Sequence, residues 1–365
     1  MKPRTAPATL SKAGTILALA LVVTAFVVRS LYAVDLASSM YVKGQPAMRI
    51  AARYDEAALG ILGGGGVLFP PHPDPSQTGL LARPPGYALF LSLVYRGLGR
   101  SFFVAQLVQN GLNALAVLLV ILLGVRLAGE AAGLLAGLLM ALSPHLAFCS
   151  NLLLPDALCP LVLLLGVTSL VLASPGSRAF AGLLLLGGAL LGAAAWLRPN
   201  MSLTAPLLAV SLAVLLRLRG RKALPLALVP LGAVLAVGPI TLRNYVIFRE
   251  FVPISTNGGI TLWEGVADAG GQRYGARRGD KLVIEEEAVR YKNPRYAEWW
   301  AAPDGIRRDR DRMRRSFAVI SEHPLWYGRA MLRRMKQMLD YWTPPPPEVG
   351  RASERAPALA TDEEG

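Results

Sequence analysis

Residues 101–125 read SFFVAQLVQNGLNALAVLLVILLGV, twenty-five positions without a charged side chain. A helix crosses about 30 Å of hydrocarbon in roughly 20 apolar residues, so this stretch predicts a membrane span. Comparable runs lie at 14–34, 131–149, 152–173, 179–197, 201–216 and 223–241, which brings the expected number of spans to seven. Tyr87 to Tyr95 is apolar but too short to cross, and reads as re-entrant or interfacial. The expected fold is an all-α polytopic membrane protein with a large first loop at about 35–100.

Composition agrees. Of 365 residues 53% are hydrophobic and only 17% charged, where a soluble domain carries about a quarter. That excess excludes disorder and collagen-like repeats, and two cysteines exclude a disulfide scaffold. A net charge of +14 would suggest nucleic acid if it sat on a soluble face. Its placement says otherwise. Residues 1–242 hold 17 Lys and Arg against six acids, and residues 243–365 hold 21 against 18, so 11 of the 14 net charges lie in the apolar portion.

Basic residues near span ends stay on the cytoplasmic side. With the N-terminus inside, that side collects Lys2, Arg4, Lys12, Arg126, Arg178, Arg217, Arg219, Arg221 and Lys222 against one acid, Glu130. Most of the charge is thereby an orientation signal, with no nucleic acid required, and residues 243–342 become a nearly charge-balanced extracytoplasmic portion. Leu31-Tyr32-Ala33 is a poor cleavage site, so residues 14–34 read as a span and not a signal peptide. Residues 343–365, opening with Pro344 to Pro347, read as an extended, disordered tail.

An ionisable group at membrane depth is costly and is a functional candidate by default. On the derived topology the outer side collects Arg53, Asp55, Glu56, Arg83, Asp156, Arg198 and Arg243, whereas no ionisable residue is expected mid-span. Each has a plainer reading. Asp55 suits a solvated loop, Asp156 after Pro155 suits a helix N-cap, and Arg198 and Arg243 suit side chains snorkelling to the interface. Arg53 to Leu59 reads as a helix ended by Gly63 to Gly66, which forms either a closing loop or a linker. His72, His145 and His323 are isolated, and Cys149 and Cys159 lack metal-ligand spacing.

Beyond residue 242, Gly258-Gly259 and Gly270-Gly271 suggest turns, and helices are expected at about 305–321 and 325–342. Met313, Phe317 and Ile320, then Met331, Leu332, Met335 and Leu339, follow helical spacing, while Arg307 to Arg315 and Arg329 to Lys336 fill the rest. Two readings stand for these helices: an interfacial pair on anionic headgroups, or a solvated basic face.

Four stretches occur in a fixed order: Tyr54-Asp55-Glu56 with the glycines 63–66; Arg83-Pro84-Pro85-Gly86-Tyr87-Ala88-Leu89-Phe90; Leu197-Arg198-Pro199-Asn200; and Thr241-Leu242-Arg243-Asn244-Tyr245 running into Ser255-Thr256-Asn257-Gly258-Gly259. This order resembles the GT-C superfamily of membrane glycosyltransferases, in its branch similar to protein O-mannosyltransferases and lipid A aminoarabinose transferases. The resemblance implies a polyprenyl-phosphate sugar donor and a lipid, protein or polysaccharide acceptor outside a bacterial inner membrane. It implies Asp55 as general base with Glu56 as fallback, and inversion at the anomeric carbon. Arg83, Arg198 and Arg243 would hold the donor phosphate, since guanidinium forks bind phosphate bidentately. Asp156 would position Arg side chains or acceptor, and a divalent ion shared with Asp55 has no further ligand to support it. Related enzymes continue with more spans after the equivalent of Trp342, which leaves a short member, a partner subunit that completes the cavity, or lost activity. Two other classes stay open: a non-catalytic protein of this fold that binds lipid-linked sugars or scaffolds envelope assembly, and a transporter or flippase.

Overall fold

The structure, a computed structural model, describes residues 9–42, 45–46, 48–65, 78–220 and 223–339. Gly66, His72, Trp342, Pro344 to Pro347 and the tail lie outside these residues. Among the described residues the regular structure is helical, apart from a two-residue antiparallel pairing of Tyr41–Val42 with Gln45–Pro46. Among the described residues five helices are long and apolar enough to cross a membrane: Lys12–Ala37, Phe102–Ala128, Pro155–Leu172, Pro199–Leu218 and Leu224–Phe248. Their outward faces carry large apolar side chains, among them Ile16, Leu115, Leu207 and Val234, that water would penalise. This is a membrane-embedded protein.

The other two expected spans take different forms. The run at 131–149 is a pair of helices bent by 57°, and the run at 179–197 is the shorter apolar helix Phe180–Trp196. The bend falls at Ser143-Pro144, between α5 (Glu130–Leu142) and α6 (Pro144–Asn151), because proline has no N–H for the ladder and its ring clashes with the preceding turn.

α1 (Lys12–Met40) and α4 (Phe102–Ala128) pack with that bent pair. The Ser101 hydroxyl caps α4 by accepting from Val104 N at 3.3 Å, and Gly129, at φ +95°, ends it and turns the chain into α5. A Cβ on Gly133 would fall 2.6 Å from the Ile121 carbonyl, so glycine sets how closely α4 and α5 approach. The same device joins α8 (Phe180–Ala193) to α10 (Leu228–Phe248), where a Cβ on Gly192 would lie 2.6 Å from Ala233 Cα. α7 (Cys159–Leu172) packs on α4 and α8, and α9 (Thr204–Leu218) on α8 and α10.

In the first loop, α2 (Arg49–Leu62) ends at Gly63 as expected and lies on α3 (Gly86–Leu98). Beyond α10, α11 (Gly258–Asp268), α12 (Asp280–Arg290), α13 (Gly305–Glu322) and α14 (Pro324–Leu339) gather around Trp263, Val266, Val283 and Val319. Gly258-Gly259 opens a helix and is not a turn. A Cβ on Gly259 would meet Asp309, whose Oδ1 accepts from Gly259 N at 2.7 Å and so caps α11 from α13. Gly270, at φ +95°, does form the expected turn.

The face that α13 buries also differs from the expectation. Arg308, Arg312, Ser316 and Val319 point inward and Phe317 is exposed, because Glu287 of α12 neutralises the inward guanidinium groups. The helix docks on the membrane portion through Ile306, which packs with Leu81, Ile247, Phe248 and Val252. Thr78 fastens the junction: its hydroxyl donates to Ala301 O at 2.6 Å and accepts from Gly305 N at 2.9 Å.

Candidate functional site

Four of the expected charged and aromatic groups share one electrostatic neighbourhood. α2 buries the stripe Ala51, Tyr54, Asp55 and Ala58, spaced three and four apart, against α3. Tyr54 thereby stands edge-on to Tyr87, ring centroids 5.2 Å apart, with the Arg83 guanidinium 5.5 Å from its own ring. Burial pushes the Tyr54 phenol up, while the charges of Arg83 and Arg198 pull it down and Asp156 adds to the rise. Burial likewise lowers Arg83, whose Nη1 has no hydrogen-bond partner among the described residues.

Asp156 and Arg198 form an ion pair on opposite sides of a small cleft. Pro155 opens the single turn Pro155–Ala157 before α7, and Pro199 opens another after the strand-like Arg198, so each proline places a charged neighbour at the mouth. Asp156 spends its carboxylate on Arg198, with no capping bond at this turn. With Cys159, Pro160, Leu163, Asn200 and Met201 the pair lines a cavity of about 340 Å³. A second cavity of about 400 Å³ lies against the other side of α7 and is apolar, with Leu89, Leu112, Leu161, Val162 and Trp196 in its wall. Gly86 keeps that side tight, since a Cβ there would meet the Trp196 carbonyl at 2.5 Å.

Asp55 is neither a solvated loop carboxylate nor an open one. It is 4% exposed, and Oδ1 accepts from Tyr95 Oη at 2.9 Å and Arg100 Nε at 3.3 Å while Oδ2 accepts from Arg100 Nη2 at 2.7 Å. Glu56 is exposed on the far side of α2. Arg53 lies over Trp299 at 5.4 Å and ties α2 to the C-terminal portion. The two acids named for a shared divalent ion thus sit on separate arginines, and among the described residues no three His, Cys, Asp or Glu side chains come together as metal ligands.

Arg243 does not snorkel. It is 1% exposed in the last part of α10, its Nε donates to Asn244 Oδ1 at 2.9 Å, and its Nη2 has no partner among the described residues. Asn244 in turn donates to Val252 O and Ile254 O, which holds the following loop, and Thr256 N of that loop donates to Leu81 O at 3.0 Å, two residues from Arg83. The hydroxyls of Ser255 and Thr256 are also buried without a partner among the described residues. Several buried donors consequently gather where the first loop meets the end of α10.

Two features escaped the sequence reading. One is Arg100 with Tyr95, the partners of Asp55. The other is an amide stripe on α4: Gln106, Gln109, Asn110 and Asn113 are buried at helical spacing; the first three donate to Asn151 O, Ser150 O and Asn151 Oδ1, where α6 ends, and Asn113 to Ala157 O in the turn before α7. The spacing i, i+3, i+4, i+7 was present in the sequence and signals a helix face that hydrogen-bonds a neighbour. Arg29 also corrects the expectation that spans lack ionisable groups. It is buried within α1, with Nη1 donating to Ala25 O and Ala141 O and Nη2 to Met140 O. Cys159 is buried and free, and His323 is stacked on Tyr274 at 4.0 Å.

No protein-family model, no curated protein and no solved structure matches the chain.

Proposed function

We propose that the chain is a membrane glycosyltransferase that moves a sugar from a polyprenyl-phosphate donor to an extracytoplasmic lipid, protein or polysaccharide acceptor. The observation that carries this reading is the apolar cavity and the Asp156–Arg198 cavity on the two sides of α7, with Arg83 and Tyr54 in the electrostatic neighbourhood of that ion pair. Such a pair of sites suits a ligand with an apolar tail and an anionic head. A donor lipid would lie along Leu112, Leu161 and Val162, with its phosphate drawn to Arg198 and Arg83. All seven apolar segments would cross, with the N-terminus cytoplasmic and residues 243–342 outside a bacterial inner membrane.

In the reaction the acceptor oxygen forms the new bond to the anomeric carbon as the bond from that carbon to the phosphate oxygen breaks. The electron pair leaves with the lipid phosphate, whose growing charge the guanidinium groups stabilise. Inversion follows from attack opposite the phosphate. The acceptor proton passes to a carboxylate, and Asp156, 34% exposed at a cavity, is favoured over Asp55, whose two oxygens are engaged by Tyr95 and Arg100. Asp55 then acts by holding α2 on α3.

Transfer from a radiolabelled polyprenyl-phosphate sugar by the purified chain tests this. Asp156→Asn should lose about 10²-fold or more of kcat, and Asp55→Asn should lose less. A fully active Asp156→Asn with an inactive Asp55→Asn returns the base to Asp55. A second reading, non-catalytic binding of lipid-linked sugars, is favoured by the fact that Asp55 and Asp156 are both ion-paired. Saturable binding of polyprenyl phosphate without transfer from any donor would select it.

A further inference from the structure

The helix α14 has two apolar faces and needs only one of them for the fold. Ala330 is buried, Trp326 and Tyr327 pack on the C-terminal core, and Arg334 donates to Gly265 O at 2.9 Å. On the opposite side Leu325, Leu332, Met335 and Leu339 are exposed, Leu339 by 85%. At about 100° per residue these four fall within an arc of about 80°, and Arg329, Arg333 and Lys336 fill the next 80°. The helix contains no acidic residue, and among the described residues those three cations form no ion pair.

Its direction matters as much as its faces. Trp326 meets Tyr274, in the turn after α11, and eight residues later Arg334 meets Gly265 of α11 itself. α14 therefore runs back along α11 toward the end where α11 begins, the end joined to α10. Close to that junction Arg310 of α13 pairs with Glu250, and Phe251 stands exposed. The last turn of α14 leaves Met338 and Leu339 bare.

We propose that α14 is a surface anchor that lays its second apolar stripe into the headgroup region of the bilayer that holds the chain, with Arg329, Arg333 and Lys336 on anionic lipid headgroups. An apolar stripe bordered by cations is what an interfacial helix presents to lipid, and the spans keep that surface always within reach. This inference stands apart from the transferase reading. It needs only that the chain is membrane-embedded.

Hydrogen exchange on the full chain in single-copy nanodiscs tests it. Discs with about 30% anionic lipid should slow the amides of α14 about tenfold relative to zwitterionic discs, with α12 unchanged as internal control. About 0.5 M salt should remove most of the difference. The variant Arg329→Gln/Arg333→Gln/Lys336→Gln, which spares Arg334, should exchange equally in both discs. Equal rates for the unmodified chain in the two lipids overturn the proposal, and so does a difference that survives in the triple variant. A second copy as the occupant would show as protection only when discs carry two chains, and would also overturn it.

Discussion

Arg29 and Arg312 are equally hidden from solvent, yet the two portions of the molecule hold them in opposite ways. Arg29, among the apolar helices, pairs with no carboxylate among the described residues. Its donors go to the carbonyls of Met140 and Ala141, at the end of α5. Pro144 lacks the N–H that would have used Met140 O, and the bend leaves Ala141 O turned outward, so the break in one helix creates the acceptors for a charge in another. Arg312 shares Glu287 with Arg308: Glu287 Oε1 accepts from Arg312 Nε at 2.6 Å, and Oε2 accepts from Arg308 Nε at 2.8 Å. Arg29 is thus held by backbone dipoles, and Arg312 by a counter-ion. Backbone carbonyls cost nothing extra to desolvate when a helix is already broken, whereas a buried carboxylate is stable only while its partners stay.

That difference sets the order of mutational effects. Glu287→Gln should be the most damaging, by about 3–5 kcal/mol, because Arg308 and Arg312 stay buried after losing the carboxylate that pairs with both. Limited proteolysis in detergent should then cut within residues 258–339, and an uncut variant would break the claim that the ion cluster holds this portion. Arg29→Met removes the charge together with its bonds and strands two carbonyls, so about 1–3 kcal/mol is expected. Its thermal aggregation temperature should fall less than that of Glu287→Gln, and the reverse order would invert the comparison.

The third test is pH. Burial first, then the charge and hydrogen bond of Asp280, raise Glu264 from the usual 4.5 to about 7. Burial raises Asp309 from 3.8 to about 6, against the pull of Gly259 N–H. A carboxyl raised on folding contributes stability that is complete below its unfolded value and is lost as pH climbs through the folded one. The C-terminal portion should therefore melt a few degrees lower at pH 8 than at pH 5, followed by tryptophan fluorescence. Glu264→Gln should flatten that profile. A rise in melting temperature over this range would contradict the sign.

The sequence was informative where one element answers for itself. Apolar length located the helices of the membrane portion, Gly63 stopped α2, and helical spacing bounded α13 and α14 within a few residues. It misled where the meaning of a residue depends on a distant partner. Asp55 reads as a free acid until Arg100 is seen across the α2–α3 packing, and its place in the stripe with Ala51 and Ala58 was the available hint of burial. Arg308 and Arg312 look like a solvated face because Glu287, which buries them, is more than 20 residues upstream. The run 131–149 reads as one span because hydropathy averages across Ser143-Pro144. Asp156 reads as a residue that positions Arg side chains, but Arg198 emerges as its partner only where the turn before α7 meets the chain after α8.

The pinning of α1 bears on the order in which the chain can be built. Ser11 donates to Glu130, Arg29 donates to carbonyls more than 110 residues downstream, and Asn151 donates back to Arg29 O. α1 is made before α5 and therefore carries a guanidinium whose acceptors on α5 do not yet exist. Until α5 and α6 have emerged, that charge must stay hydrated, by leaning to the lipid surface or by drawing water inward. The contacts that fix α1 are consequently complete only once residue 151 has been made.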